Sequence, residues 1–67
     1  MSPKRVGKML RALREAKELS QVALAAKAKV GRTYIVKLES GEKKNPSLAV
    51  LQRLAKALGV PVTELLG

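Results

Sequence analysis

Arg32, Thr33, Val36, Lys37 and Ser40 fall within the nine-residue run RTYIVKLES. Wound as a helix, they share one arc, and Tyr34, Ile35 and Leu38 share the opposite one. The chemistry of the first arc is donation and charge: a planar guanidinium, a flexible ammonium and two hydroxyls. Nothing near it forms a nucleophile and base. The whole chain of 67 residues has no His, Cys or Asp, and its five Glu are scattered. General acid-base and metal chemistry therefore lack their usual groups, and no Gly-rich phosphate loop is present. An enzyme is not expected, and neither is a catalytic residue, metal site or cofactor. The arc is suited to recognition: Arg32 to a bidentate acceptor such as guanine O6 and N7, Thr33 to a hydrogen bond or a thymine methyl, Lys37 to guanine or a phosphate. Val36 is apolar on an otherwise polar arc, and a thymine methyl would account for it.

Charge narrows the partner. Fourteen Lys and Arg against five Glu give a net charge of +9. Solubility alone would be served by mixed charge, so the imbalance points to a polyanion. The absence of Cys excludes disulfides and thiolate metal sites and suits a cytoplasmic location. No apolar run approaches membrane-spanning length, and Gly7 and Lys8 interrupt the basic N-terminus before any long apolar stretch, so neither a membrane partner nor an export signal is expected.

Positioning that arc falls to the rest of a short chain. One domain, residues 1–67, is expected, and a chain of this size buries only about 60% of its unfolded surface. Its apolar content, 46%, is mostly Ala, Leu and Val with a single aromatic residue, Tyr34, which favours helices over sheet. Ser2 as cap and Pro3 in the first turn start helix 1 over residues 3–17, with Val6, Met9, Leu10, Leu13 and Ala16 at helical steps. Leu19 plugs the corner. Ser20 caps helix 2, which runs to about Lys27. Gly31 opens helix 3, which ends near Ser40 with Gly41 as its stop. A basic loop, EKKNP, follows. Ser47 caps helix 4, with Asn45-Pro46 as an alternative earlier start. Leu48, Leu51, Leu54, Ala55 and Leu58 form its stripe, and Gly59 ends it. Pro61 begins a last turn carrying Val62, Leu65 and Leu66. Helices this short need mutual burial. The expected core is Leu10, Leu13, Leu24, Ala28, Val30, Ile35, Leu38, Leu51, Leu54 and Leu58.

The stretch QVALAAKAKVGRTYIVKLES, residues 21–40, carries a resemblance. It is similar to the helix-turn-helix of the phage repressor and Cro-type regulators. Counting Gln21 as first, the apolar positions four, eight, ten, fifteen and eighteen are Leu24, Ala28, Val30, Ile35 and Leu38, and the small fifth residue is Ala25. The ninth position, usually Gly, is Lys29. A Lys held at positive φ costs about 1 kcal/mol, so the turn is expected to be strained or differently shaped. The likeness continues through Glu39, Gly41 and Asn45-Pro46-Ser47.

The resemblance implies an all-α, five-helix bundle of the lambda-repressor-like DNA-binding type, with helices 2 and 3 as the helix-turn-helix. It implies a sequence-specific regulator of transcription, most simply a repressor, with double-stranded DNA as partner. Arg32, Thr33, Val36 and Lys37 match the positions of base contacts. Gln21, opening helix 2, matches a phosphate contact, and a helix N-terminus does favour an anion. Lys43, Lys44 and Asn45 would flank the opposite strand, and Tyr34 has a hydroxyl to offer a phosphate, although a half-buried place at the core margin is the simpler reading. Similar repressors pair Arg and Glu at the positions of Arg14 and Glu39, which implies a partly buried ion pair. Val60, Val62, Leu65 and Leu66 are candidates for a homodimer contact on a near-palindromic site, or for closing the core. The alternative is an interaction module, such as an antitoxin or co-activator, which would show larger apolar anchors on helix 3.

Overall fold

The computed structural model describes residues 3–43 and 45–66, without the side chains of residues 3 and 4; the expected Ser2 cap lies outside them. Five helices follow in order: α1 (Pro3–Ala16), α2 (Gln21–Ala28), α3 (Arg32–Ser40), α4 (Leu48–Leu58) and α5 (Thr63–Leu66). Among the described residues there is no strand, and no helix is long and apolar enough to cross a membrane. The fold is the all-helical one the sequence implies.

Local chemistry sets the boundaries. The Ser20 hydroxyl accepts from the Ala23 amide at 3.0 Å, and the Ser47 hydroxyl from the Val50 amide at 3.1 Å. Each satisfies one of the donors that a helix start leaves free. Ser47, rather than Asn45, is therefore the start of α4. Gly31 opens α3 without a side-chain cap.

Three helix ends use one device. Glu18, Lys29 and Gly59 are left-handed, at φ 57°, 58° and 72°. The next residue's amide reaches back to a carbonyl five residues earlier: Leu19 to Arg14, Val30 to Ala25, Val60 to Ala55, each at 3.0 Å. Leu19, Val30 and Val60 then turn in against the core. The turn thus keeps its ordinary shape with Lys29 in the place of Gly, and α1 ends at Ala16 because Glu18 takes the same conformation. Strain at Lys29 and the larger unfolded-state freedom of Gly oppose each other, so Lys29→Gly should raise stability by about 0.5 kcal/mol. Thermal unfolding should show a rise of about 2–4 °C; a fall would mean that the lysine carries no strain.

The core is Val6, Leu10, Leu24, Ala25, Ala28, Ile35, Leu38, Leu51, Leu54, Ala55, Leu58 and Leu65. Leu13 and Val30, expected inside, are half-buried at its rim. Leu48, expected on the buried stripe of α4, is 56% exposed. It lies at the edge of the arc set by Leu51, Leu54 and Leu58, and in the first turn. Leu65 is fully buried, because α5 closes the bundle against α1 and α4.

α1 and α3 share the most extensive helix contact, and α4 rests on α2 and α5. Gly7 makes the first of these possible. A β-carbon there would overlap the Leu38 carbonyl oxygen, with the Leu38 carbonyl carbon at 3.1 Å and the Glu39 α-carbon at 3.2 Å. The backbone of α3 therefore lies directly on α1.

Candidate nucleic-acid interface

α3 buries Ile35 and Leu38 and leaves Arg32, Thr33, Lys37 and Ser40 exposed. Val36 is half-buried. The arc of donors is thus held out by a buried apolar face. Being one rigid helix, it fixes these side chains relative to one another, as reading an ordered set of acceptors requires.

A polar clamp fixes the far end of this helix. Arg14 Nε donates to Glu39 Oε2 at 2.7 Å and Arg14 Nη2 to Glu39 Oε1 at 2.9 Å. Arg14 Nη1 also donates to the Leu19 carbonyl at 2.8 Å. The two side chains are 11% and 5% exposed. One guanidinium therefore joins α1, the corner at Leu19 and α3. Hydrogen bonding to Glu39 is the main cause raising the pKa of Arg14, against the opposing cost of burial. The Gln21 side-chain amide donates to Glu39 Oε1 at 3.2 Å, which ties the start of α2 to the same carboxylate.

Gln21 and Val36 meet in a shallow depression of about 400 Å³, lined also by Arg11, Arg14, Glu39 and Ser40. One side chain assigned to a phosphate and one assigned to a base thus border a single surface. Gln21 is half-buried and already holds one hydrogen bond; its carbonyl and its second amide hydrogen are additional groups for a ligand.

The loop after α3 folds back on it. The Lys43 amide donates to the Lys37 carbonyl at 3.0 Å, the Ser40 hydroxyl donates to the same carbonyl at 3.1 Å, and the Glu42 amide donates to the Ser40 hydroxyl at 3.3 Å. Lys43 Nζ stands 5.1 Å from the centre of the Tyr34 ring, a cation–π contact. Tyr34 is half-buried against the core. Asn45 is exposed, and Lys44 lies outside the described residues. The contact between Lys43 and Tyr34 and the role of Gly7 are absent from the sequence reading. The first follows from a loop path that no local motif encodes. The second had a signal, a Gly inside an otherwise good helix.

Of the four C-terminal residues considered for a dimer contact or for closing the core, Leu65 does the second: it is core and has no surface to offer a partner. Val60, Val62 and Leu66 are half-buried.

Two short helices joined through a left-handed turn, the second braced from behind and donor-rich in front, define a helix-turn-helix domain. The helix-turn-helix family model matches residues 10–65, and the chain belongs to that family. It is 40% identical over 62 residues to the immunity repressor protein of Bacillus phage phi105, a match that covers 92% of this chain and 42% of the repressor. The chain thus spans less than half the length of that relative. Its structure is similar to the restriction-modification controller protein C.AhdI of Aeromonas hydrophila, with TM-score 0.90 and 40% identity over 94% of each chain. It is also similar to SinR of Bacillus subtilis, a master regulator for biofilm formation solved in complex with DNA. That likeness has TM-score 0.90 and 32% identity, covering 92% of this chain and 98% of the SinR chain in that structure.

Proposed function

We propose that this chain is a cytoplasmic, sequence-specific DNA-binding regulator of transcription, acting as a repressor through one helix-turn-helix domain. The observation that carries the reading is the exposed set Arg32, Thr33 and Lys37 on a helix whose opposite face, Ile35 and Leu38, is fully buried. A major groove is about 12 Å wide and admits one helix. With α3 in it, Arg32 meets guanine, Thr33 a base edge or thymine methyl, Lys37 guanine or a phosphate, and Val36 a methyl. Gln21, Lys43, Lys44 and Asn45 hold the flanking phosphates, and Tyr34 acts chiefly by receiving Lys43 on its ring. The kinship with regulators, one of them solved on DNA, supports the same reading. A single copy reads one half-site; two copies about 34 Å apart on a near-palindrome read both. Val60, Val62 and Leu66 are the apolar surface on which such copies would meet.

Selection from a random duplex pool, followed by binding assays on the selected and on random duplex, tests the division of roles. Arg32→Ala should cost about 1–3 kcal/mol on the selected site and relax preference at one base pair. Lys43→Ala should weaken both duplexes alike and reduce the salt slope by about one unit. Two variants with the same profile on both duplexes would refute the assignment.

A further inference from the structure

α2 and α4 leave an open trough between their C-terminal halves, and the DNA reading makes no use of it. A depression of about 620 Å³ is lined by Lys27, Ala28, Lys29, Arg53, Lys56 and Ala57. A second, of about 330 Å³, shares Lys27, Lys56 and Ala57 with it and continues to Lys17, Leu19 and Leu58. Five cations line the two and no carboxylate does. Among the described residues, none of these five has an ion-pair partner: the Glu side chains that pair go to Arg11 and Arg14.

Helix ends explain part of this. Lys17, Lys27, Lys29 and Lys56 lie at the C-terminal ends of α1, α2 and α4, where a cation is favoured. That account does not extend to Arg53, which sits a turn earlier on α4, nor to the convergence of three helix ends on one trough. At the ends of α2 and α4 the backbone amides of Lys29 and Gly59 take the carbonyls of Ala25 and Ala26 and of Ala55 and Lys56. The apolar surface between the cations comes from the half-buried Ala57 and Leu19, with the core residues Ala28 and Leu58 beneath them. No residue of α3 or of the loop after it lines the trough.

We propose that this trough is a docking site for an acidic, amphipathic peptide segment of a partner protein. A phosphate ridge has anions to offer the cations but nothing to offer the apolar surface between them. A peptide that alternates carboxylates with apolar side chains answers both. Because its lining shares no residue with the α3 arc, the site is independent of the DNA reading.

Amide chemical shifts of the full chain, followed by NMR, test the idea with four probes: a short Glu/Leu peptide, an all-Glu peptide, a Lys/Leu peptide and a random duplex. The Glu/Leu peptide should shift Lys27, Lys29, Arg53, Lys56 and Ala57 and leave Arg32, Thr33 and Lys37 unmoved. The double substitution Lys27→Gln and Lys56→Gln should weaken it about five- to tenfold and change duplex binding less than about threefold. The all-Glu peptide should bind more weakly and the Lys/Leu peptide not at all. Peptide shifts centred on α3 would overturn the proposal. So would duplex shifts centred on the trough, or equal binding by the all-Glu and Glu/Leu peptides.

Discussion

Gly7→Ala should lower the midpoint of thermal unfolding by about 8–16 °C, a net loss of about 2 kcal/mol. The sign is the informative part. At an open position in the middle of a helix, Ala in place of Gly gains about 1 kcal/mol from propensity and would raise the midpoint. Here the new methyl overlaps the Leu38 carbonyl oxygen, with backbone atoms of Leu38 and Glu39 also within 3.2 Å. Backbone cannot rotate aside as a flexible side chain does, so α1 and α3 must separate. Overpacking costs about 1–3 kcal/mol and sometimes more, and contact with backbone lies at the upper end. A chain of this length has about 3–10 kcal/mol in total, so the change removes a large part of it. Gly7→Val should be worse. Far-UV circular dichroism against temperature reads the result, and a rise on Gly7→Ala would show that the two helices pack less closely than the structure has them.

That contact also shows how much of the molecule was legible in the sequence. The helices were, because their apolar periods stand out and several ends are marked: Ser20, Gly31 and Ser47 start α2, α3 and α4, and Gly41 and Gly59 stop α3 and α4. The outward arc of α3 was legible for the same reason, since 100° per residue separates Arg32, Thr33 and Lys37 from Ile35 and Leu38. Tertiary facts were harder. The reading gave Gly7 no structural role because its meaning depends on which helix lies across it. Glu18 gave no turn signal because a Glu seldom takes positive φ; the five-residue hydrogen bond and the inward turn of Leu19 stabilise it there. Leu48 and Leu65 look alike as apolar helix residues, yet one is 56% exposed and the other fully buried. Their places at the first turn of α4 and inside α5 decide that, not their types. The basic trough joins Lys17, Lys27 and Lys56 from three helices, and no one-dimensional pattern brings those together.

Glu39→Ala should be the most damaging polar substitution in the chain. It leaves a guanidinium that is 11% exposed with one remaining bond, to the Leu19 carbonyl at 2.8 Å. Removing one partner of such a pair costs about 3–5 kcal/mol, because the other charge stays buried without compensation. That is about 12–40 °C in the midpoint, enough to unfold much of the population near 37 °C. The pair Arg11–Glu15 is the internal control. It spans 3.4 Å, with side chains 65% and 58% exposed, so Glu15→Ala should cost no more than about 0.5 kcal/mol. Salt should separate the two as well, since a nearly buried pair is screened far less than an exposed one. Acidity and alkalinity will not probe the guanidinium side of the clamp. Its pKa is raised by Glu39, so the stability that Arg14 contributes is fully present below its unfolded value and is lost only as pH climbs through the still higher folded one. Replacing both partners together, Arg14→Met with Glu39→Leu, should recover much of the loss, because no charge is then left buried. If the double replacement is as unstable as Glu39→Ala, the cost comes from packing and not from the orphaned cation. Duplex binding distinguishes support from mere stability. Measured well below its own midpoint, the double variant should fold yet bind the selected duplex more weakly than Glu15→Ala does. An apolar pair fills the space but gives Gln21 no carboxylate to hold and leaves the angle of α3 less fixed.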